Sequence, residues 1–356
     1  MNTQSPNWQK LQQNRLDPEI FTFRASFIQH IRQFFITRGF LEIEAPQMTP
    51  WPTLDSNIES IQVLLMNSPS PFYLHTSPEH AMKKWLASGA DKIYFLGKVF
   101  RNNELSSLHN PEFTMVEWYR TNATYADIQN DTEALIYDLS SHFHKTELSY
   151  QNINLDLTPP WKRISLSELF QEKAQIDLTS CLNKKDLHKA ARESRFPCGE
   201  DDDWETLFFK IFLDRIEPGL GIPKPVFVYD YPAKLGLMAG KKADHPEWVE
   251  RTELYIGSLE LANGYTELTD AAEQQSRFEE EQSKKMRNGH HYPIDEELLT
   301  AMQTGIPSCA GMALGIDRLL MLFLDKSHIE DVIYFPYHQM KRANHTENGQ
   351  HDKQTQ

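Results

Sequence analysis

Residues 100–104 have the sequence FRNNE and, after a short loop, residues 109–119 have the sequence HNPEFTMVEWY. The pattern predicts a strand over residues 92–101, a polar loop, and a partner strand over residues 113–119. An arginine ends the first strand, while an aromatic ring and a carboxylate occupy one face of the second. We expect these two strands to form the centre of the fold and to carry a binding site along their shared face.

The second strand places an unusual set of side chains on one face. Because side chains alternate along a strand, one face carries Phe113, Met115, Glu117 and Tyr119. A carboxylate on a buried sheet face requires a partner. In a functional interpretation, Arg101 binds a phosphate and Phe113 stacks on a base, while Glu117 and Tyr119 bind a cationic substrate. In a structural interpretation, the segment is an ordinary hairpin in which Arg101 and Glu117 form an ion pair.

A second candidate hairpin covers residues 253–268, ELYIGSLELANGYTEL. Glu253 and Glu260 are an odd number of residues apart, so a single straight strand would place them on opposite faces. A two-residue turn at Gly257 and Ser258 changes this, because hairpin pairing then sets Glu253 opposite Ala262. The predicted hairpin therefore carries both carboxylates on one face.

Two carboxylates on one face suit a Mg²⁺ ion that bridges a polyphosphate. The alternative is a pair of solvated glutamates on an exposed hairpin. The orientation of Glu267 does not follow from the pattern, because Asn263 and Gly264 interrupt the strand. A third carboxylate at this position would suit an ammonium group.

The third candidate segment is residues 311–319, GMALGIDRL. Gly311, Ala313 and Gly315 alternate, so one strand face carries almost no side chain and a flat ligand could approach the backbone. Arg318 falls in the first turn of the following helix, where the helix N-terminus and the guanidinium together favour an anion. The alternative is tight packing of a helix on a strand, with Arg318 at the surface.

The remaining pattern predicts the elements around these segments. The first is a long helix over residues 19–38 that leads into a strand over residues 40–44, and it is either a core element or the edge of a dimer. A second helix opens at Ser77 and Pro78. The further predictions are a mostly helical region over residues 125–220 with a helix at 204–216, a strand at 226–229, a helix at 293–304, and a disordered tail from about residue 339.

Composition limits the class of function. The chain has 356 residues and a formal net charge of −14, which disfavours bulk attraction to nucleic acid. Three cysteines without CxxC spacing indicate a reducing compartment, so we expect a cytoplasmic protein. No apolar run approaches the length of a membrane span, and we expect no membrane partner.

Three parts of the chain resemble, in this order, motifs 1, 2 and 3 of class II aminoacyl-tRNA synthetases: the helix and strand that end at Pro46, residues 100–113, and residues 311–318. Within that class the chain resembles the lysyl branch, through TSPE at residues 76–79, HNPEFTM at 109–115 and ELANG at 260–264. The resemblance extends to about residue 336. It implies an α+β fold: the class II catalytic domain, an antiparallel sheet flanked by helices.

Two departures from the lysyl branch narrow the resemblance. About eighteen residues precede the first catalytic helix, too few for the anticodon-binding barrel of a lysyl-tRNA synthetase, so we expect no anticodon binding. Ala313 stands where that family has glycine. Both features resemble truncated paralogues that activate (R)-β-lysine with ATP and attach it to a lysine of translation elongation factor P. The implied domains are an extension at 1–18, a catalytic domain at 19–338 with a helical insertion around 125–220, and a tail at 339–356.

The resemblance also implies roles for individual residues and a homodimer formed through residues 19–46. The resemblance implies that Arg101 and Arg318 are catalytic residues that contact the ATP phosphates. As further ATP-binding residues it implies Asn102, Asn103, Asn110, Phe113, Glu253, Leu254 and Gly315. As ligands of Mg²⁺ it implies Glu253 and Glu260. Around the lysine-like substrate it implies Ser77, Pro78, Glu79, Glu117, Tyr119, Glu260, Glu267 and Ala313.

One position departs from the motif, since Asn103 stands where the family has glutamate and Glu104 follows it. Two other functions are compatible with the resemblance. A minimal enzyme could charge RNA with lysine, binding it through local basic patches such as Lys83–Lys84 or Lys241–Lys242. A non-catalytic regulatory module is the other alternative, but both motif arginines and the Glu253–Glu260 pair are present.

Overall fold

The computed structural model describes residues 5–287 and 289–340. The helices are α1 (Asn7–Gln12), α2 (Glu19–Thr37), α3 (Glu79–Ala87), α4 (Tyr125–His142), α5 (Leu166–Ala174), α6 (Lys184–Glu193), α7 (Trp204–Ile211), α8 (Ala271–Arg287), α9 (Glu296–Gly305) and α10 (Ile316–Phe323). The strands are β1 (Leu41–Glu42), β2 (Met48–Thr49), β3 (Gln62–Val63), β4 (Phe72–Leu74), β5 (Lys92–Phe100), β6 (Glu112–Thr121), β7 (Glu147–Tyr150), β8 (Ile153–Asp156), β9 (Lys162–Ser165), β10 (Val226–Pro232), β11 (Trp248–Ile256), β12 (Leu259–Thr266) and β13 (Cys309–Gly315).

One large sheet organises the chain. Its eight strands lie in the order β1-β5-β6-β13-β12-β11-β10-β9. The six inner strands are antiparallel to one another, whereas the outer strands β1 and β9 pair in parallel with β5 and β10. The predicted α+β fold, an antiparallel sheet flanked by helices, is therefore confirmed.

The two faces of this sheet serve different purposes. On one face Tyr94, Trp118 and Met312 belong to a core that also contains residues of α2, α4 and α10. On the other face Ile93 and Met115 pack with residues of α3, α8 and α9. Alternation along each strand assigns its residues to the two faces. The second face is only partly covered, and it carries the cavity described below.

A buried polar network joins α2, β6 and the start of α10. Arg24 donates to Asp317 Oδ1 at 2.5 Å and to Thr114 Oγ1 at 2.8 Å. The backbone N–H of Thr114 donates to Asp317 Oδ2 at 2.7 Å. Buried charges are tolerated when they are paired and hydrogen-bonded in this way. The network fixes the first turn of α10 against the sheet, and Arg318 is the next residue.

The first predicted helix is confirmed as α2, which ends one residue earlier than expected. Gly39 follows it at φ +77°, the left-handed conformation that commonly ends helices. Phe27 and Phe35 are fully buried, so one face of the helix belongs to the core, while Ile36 on the helix is 55% exposed. The strand predicted over residues 40–44 is shorter, since only Leu41–Glu42 pair with β5.

The prediction for residues 125–220 was wrong in part, because this region contains the strands β7, β8 and β9. Gln151 and Asn152 have φ values of 48° and 66°, as in the two-residue turns that connect tight hairpins, and they join β7 to β8. The predicted helix at 204–216 is α-helical to Ile211 and continues as a π-helix over Phe212–Ile216. Helix α8 was not predicted.

The predicted N-terminal extension contains α1, whose Asn7 donates to the carbonyls of Glu330 and Ile333. Of the predicted disordered tail, residues 341–356 lie outside the described residues. Gln339 is described, and its side chain accepts from the Asn7 backbone at 2.7 Å. Across residues 5–287 and 289–340, none of the helices combines the length and the apolar character that a membrane span needs.

Candidate active site

A cavity of about 680 Å³ opens on the partly covered face of the sheet. Most of the predicted site residues line it: Ser77, Pro78, Glu79, Arg101, Asn110, Phe113, Glu117, Tyr119, Glu260, Ala313, Gly315 and Arg318. Five others lie outside its lining: Asn102, Asn103, Glu253, Leu254 and Glu267. Elements far apart in the chain therefore bring guanidinium groups, carboxylates and an aromatic ring to one space.

Glu117 is a buried carboxylate on the cavity wall. Ser77 Oγ donates to its Oε2 at 2.8 Å, and the Tyr119 hydroxyl donates to its Oε1 at 2.7 Å. Burial, together with the nearby Glu79 carboxylate, raises the pKa of Glu117 to about 7. Among the described residues its hydrogen-bond partners are hydroxyl groups, not cations. The carboxylate is therefore placed to accept an ammonium group from a ligand.

Lys83 lies behind this wall and is completely buried. Its ammonium group contacts Glu79 at 2.8 Å and Glu267 at 2.5 Å. Burial alone would lower the pKa of Lys83, but the two carboxylates raise it above its usual value. Burial raises the pKa of Glu267 more than the Lys83 ammonium lowers it. Glu267, predicted beside the substrate, is thus held by Lys83 and does not line the cavity.

Each of the four lysines suggested for basic patches contacts a carboxylate. Lys83 is inside the protein, and Lys84 contacts Asp295 at 3.0 Å. Lys241 contacts Glu273 at 2.7 Å, and Lys242 forms an ion pair with Asp230. Spacing along the sequence does not reveal which carboxylates pack against a lysine.

Arg101 does not pair with Glu117, so the structural hairpin interpretation was wrong. Its nearest carboxylate is Glu104, at 3.7 Å. The guanidinium lies 5.3 Å from the centroid of the Phe113 ring, a cation–π distance. Both side chains line the cavity. A positive charge and an aromatic face therefore stand together at the end of the β5–β6 hairpin.

Arg318 crosses the cavity edge from the first turn of α10. It donates to the backbone carbonyl of Glu260 at 2.8 Å and contacts His109 Nε2 at 2.5 Å. Burial and the adjacent Arg318 charge lower the pKa of His109, so the neutral ring accepts this hydrogen bond. His109 was not predicted as a site residue. It fixes the direction of the guanidinium, whose half-buried position excludes the surface-arginine alternative.

The β11–β12 hairpin turns at Gly257 and Ser258 as predicted, but its register differs. Glu253 pairs with Asn263, not with Ala262. A β-bulge next to this pair adds one residue to β12 and shifts the alternation. Glu253 and Glu260 nevertheless reach the same side, where both line a small pocket beside the main cavity.

Glu253 is buried and not solvated, so the exposed-hairpin alternative was wrong. Its Oε2 accepts from the hydroxyls of Tyr231 at 2.6 Å and Tyr255 at 2.7 Å, and its Oε1 accepts from Arg251 at 2.5 Å. Burial raises the pKa of Glu260 to about 7, and repulsion from Glu253 adds to this effect. Arg251, which also lines the cavity, was not recognised from the sequence.

Glu253 and Glu260 are the carboxylates predicted to bind Mg²⁺. Among the described residues, no group of three or more histidine, cysteine, aspartate or glutamate side chains is arranged to hold a metal. Mg²⁺ commonly uses one or two carboxylates, with waters and substrate phosphates completing its shell. Glu260 faces the cavity, and a divalent cation would relieve its repulsion from Glu253. The donor set therefore fits a metal shared with a polyphosphate, and does not fit an independent metal site.

Strand β13 forms the cavity floor. Ala313 pairs with Glu117 on one side and with Asn263 on the other. A Cβ added at Gly311 would lie 2.2 Å from Cε1 of the Tyr119 ring, so the ring covers this glycine. All three residues line the cavity, but the Tyr119 ring narrows the flat approach at Gly311.

Leu254 and the motif 2 asparagines lie away from the cavity or are already engaged. Leu254 is buried in the core on the opposite face of the sheet, so its side chain cannot line a nucleotide in this cavity. Asn102 and Asn103 are exposed on the loop. The Asn110 amide donates to the Glu112 carbonyl at 2.6 Å and accepts from the Tyr337 backbone N–H at 2.9 Å. Its side chain is occupied in shaping the site.

Comparison with known proteins identifies the family. The chain matches tRNA synthetases class II (D, K and N) over residues 6–339. The elongation factor P--(R)-beta-lysine ligase of Sodalis glossinidius is 37% identical over 317 residues, which is 88% of this chain and 93% of that protein. The ligase of the same name from Yersinia pestis (strain Pestoides F) is 36% identical over 318 residues, with the same two shares.

A lysine--tRNA ligase is similar at a comparable level. The enzyme of Pelotomaculum thermopropionicum is 35% identical over 325 residues, which is 89% of this chain and 63% of that protein. The family match covers most of the chain, and the antiparallel sheet and the three motif segments agree with it. This chain belongs to the class II tRNA synthetase family.

Proposed function

We propose that this chain activates (R)-β-lysine with ATP as an aminoacyl-adenylate and transfers it to a lysine side chain of translation elongation factor P. The observation that carries the proposal is the 37% identity, across 93% of its length, to a protein named as the elongation factor P--(R)-beta-lysine ligase. The cavity supports it, since both carboxylates and guanidinium groups line its wall.

The substrate's ammonium groups would meet Glu79 and Glu117, with Tyr119 and Ser77 holding the second carboxylate in place. An ammonium group next to Glu117 would lower its raised pKa and keep it ionised. Ala313 would limit the depth of the pocket beside Glu117. A diamino acid fits this acidic part of the cavity better than a neutral side chain does.

The nucleotide would occupy the basic part. Phe113 would stack on the adenine, and Arg101 and Arg318 would contact the phosphates. Glu253 and Glu260 would hold Mg²⁺, which when bound supplies further neutralisation of the polyphosphate charge. Family membership supports the use of ATP and Mg²⁺.

The chemistry requires positioning more than a side-chain nucleophile. In the first step a carboxylate oxygen of the substrate bonds to the α-phosphorus, and the bond from that phosphorus to the pyrophosphate oxygen breaks. In the second step the acceptor lysine amine attacks the carbonyl carbon, an amide forms, and AMP leaves. Arg101 and Arg318 would stabilise the charge that develops on the phosphates in the first step.

The direct test mixes the protein with ATP, (R)-β-lysine and elongation factor P and measures the mass of the factor. We expect the mass of one lysyl group to be added, and no addition with the Glu260→Ala variant, because it removes charge that organises the triphosphate. Glu112 on β6, which does not line the cavity, offers the matched control, and Glu112→Ala should leave the modification unchanged. An unmodified factor with the wild-type protein would contradict the proposal.

A second candidate function is the charging of tRNA with lysine, which the 35% identity to a lysine--tRNA ligase favours. The engagement of Lys83, Lys84, Lys241 and Lys242 by carboxylates disfavours it, as does the net charge of −14. Lysylation of total tRNA by the protein would support this alternative. A regulatory module without catalysis would instead show no ATP–pyrophosphate exchange with any lysine isomer.

The assembly and location are part of the proposal. We infer a homodimer through residues 19–46, where Ile36 and Leu41 are 55% and 58% exposed. Sedimentation of the purified protein would test this. Modification of a translation factor would take place in the cytoplasm.

A further inference from the structure

Lys285 on α8 is a buried lysine that the proposed function leaves unexplained. Its side chain is 1% exposed and does not line the cavity. The ammonium group donates to the Ile58 backbone carbonyl at 2.8 Å and to Glu59 Oε1 at 2.7 Å. Burying a lysine is costly unless its charge is paired and hydrogen-bonded, and these contacts meet that need. Lys285 therefore ties α8 to the segment that carries Ile58 and Glu59.

Both oxygens of the Glu59 carboxylate are hydrogen-bonded. Oε1 accepts from Lys285, and Oε2 accepts from the Tyr292 hydroxyl at 3.1 Å. Burial alone would raise the pKa of Glu59, but the hydrogen bond and the charge of Lys285 lower it below its usual value. Glu59 does not line the cavity, whereas its neighbour Ile58 does. The ion pair thus fixes, from outside the cavity, a segment that reaches the cavity wall.

The backbone of Glu59 pairs with the loop that follows β5. The Asn102 N–H donates to the Glu59 carbonyl at 2.8 Å, in an isolated antiparallel bridge. Asn103, the next residue, has φ +62°, so the chain turns directly after the bridge. A pairing this short is marginal by itself. The position of Asn102 therefore depends on what anchors Glu59.

Arg101, the residue before Asn102, takes its direction from its backbone. Among the residues that the structure describes, its buried Nε has no hydrogen-bond partner, and its nearest carboxylate, that of Glu104, is 3.7 Å away. Its backbone N–H donates to the Pro111 carbonyl at 2.9 Å. On the other side the backbone is fixed through the bridge from Asn102 to Glu59. A shift of Glu59 would therefore move the guanidinium within the cavity.

We propose that Lys285 is a positioning residue for the nucleotide: it anchors Glu59 and thereby fixes the backbone from which Arg101 reaches the phosphates. The contact between Glu59 and Asn102 transmits this effect. The inference rests on the proposed function for the identity of ATP as the ligand of Arg101. It assigns to Lys285, which lies outside the cavity, a role in how tightly the nucleotide binds.

The test is a double-mutant cycle between Lys285 and Arg101. The affinity for ATP with Mg²⁺ is measured by isothermal titration in the absence of an amino acid, so that no adenylate forms. The four proteins are wild type, Lys285→Met, Arg101→Ala and the double variant. A cycle of this kind measures whether the two residues act on ATP through one another.

We expect Lys285→Met to weaken ATP binding by about 10-fold, because a small displacement of a positioned group is costly even when the mutation is distant. Arg101→Ala should weaken binding at least as much, since it removes a charge that faces the phosphates. In the Arg101→Ala protein, the addition of Lys285→Met should change the affinity by less than about 3-fold, because the group that Lys285 positions is gone.

A merely structural role would give a different result. If Lys285 only stabilises α8, Lys285→Met lowers the melting temperature and either leaves the affinity for ATP unchanged or lowers it equally with and without Arg101. Either outcome refutes the proposal. Arg120→Met is the matched control, because Arg120 lies at the other end of the β5–β6 hairpin, pairs with Asp131 at 3.1 Å and does not line the cavity. It should lower the melting temperature and leave the affinity within about 2-fold of wild type.

If Lys285→Met does not fold, Glu59→Ala replaces it in the cycle with the same expected coupling to Arg101, since the Glu59 side chain is 27% exposed and its removal is milder. A wild-type protein that does not bind ATP also overturns the inference. A wild-type protein that binds ATP and shows the coupling, but does not modify elongation factor P, refutes the proposed function alone.

Discussion

Replacing Glu117 by glutamine tests whether its buried carboxylate lowers the free energy of unfolding in the absence of a ligand. The same charge would bind an ammonium group of the substrate. Glutamine has nearly the same shape, and its amide can still form hydrogen bonds with the hydroxyls of Ser77 and Tyr119. What changes is the ionisation. The buried carboxylate has a pKa of about 7 in the folded protein, against an ordinary value of 4.5.

The sign of the effect follows from this difference. Below pH 4.5 the carboxyl group is protonated in both states and contributes nothing to the pH dependence. Between pH 4.5 and 7 the unfolded chain releases the proton while the folded protein retains it, so the free energy of unfolding falls as pH rises. Above pH 7 the loss is complete. At about 1.4 kcal/mol for each pKa unit, it amounts to about 3 kcal/mol.

We therefore expect Glu117→Gln to unfold with a free energy about 3 kcal/mol above that of wild type at pH 8, and close to that of wild type at pH 4.5. Urea denaturation of both proteins at the two pH values measures this difference. Glu112, on the same strand, provides the control. Glu112→Gln should change the free energy of unfolding by less than about 0.5 kcal/mol at either pH.

Binding of a diamino acid should reverse the order of stability of wild type and Glu117→Gln. A saturating diamino acid should stabilise wild type at pH 8 and have little effect on Glu117→Gln, because the neutral amide offers no charge to an ammonium group. If Glu117→Gln is no more stable than wild type at pH 8, the Glu117 carboxylate does not destabilise the ligand-free protein, and this interpretation is refuted.

Four further predictions concern the cavity wall and floor. Arg318→Ala should reduce ATP–pyrophosphate exchange by at least about 100-fold, since it removes a charge that stabilises the transferred phosphate; near-normal exchange would contradict this role. Ala313→Gly should widen the pocket and raise the use of α-lysine relative to (R)-β-lysine, and an unchanged preference would remove this residue from the specificity argument. Gly311→Ala should lower the free energy of unfolding by about 1–3 kcal/mol, because its Cβ would meet the Tyr119 ring. Gly315→Ala should be nearly neutral in the same denaturation experiment, because the nearest atom to its added Cβ is 3.7 Å away.

Much of the fold was predictable from local pattern. The helical spacing of residues 19–38, the alternation of residues 113–119 and the capping signals around Ser77 each describe an element that forms largely from its own residues. The β7–β8 hairpin and α8 were missed because their apolar pattern is weak. Helix α8 nevertheless carries a local signal of another kind, since it is rich in strong helix formers and has ion pairs four residues apart, such as Glu273–Arg277.

The candidate site was predictable only where residue type decided the outcome. Alternation placed Glu117 and Tyr119 on one face, and Arg318 followed from the start of a helix. The pairing of Glu253 depended on a bulge that shifts the strand by one residue, and no turn signal specified it. His109 was overlooked because its partner, Arg318, is more than two hundred residues away.

The sequence by itself determined the main helices and strands around the site, the alternation of side chains along regular strands, and the set of charges available. These follow from backbone periodicity, which acts over a few residues. Only the tertiary structure decided which charges cancel. It buried Lys83 between Glu79 and Glu267 and left Glu117 facing the cavity, because the energy of a charge depends on its solvation and on neighbours that the fold brings together from distant segments.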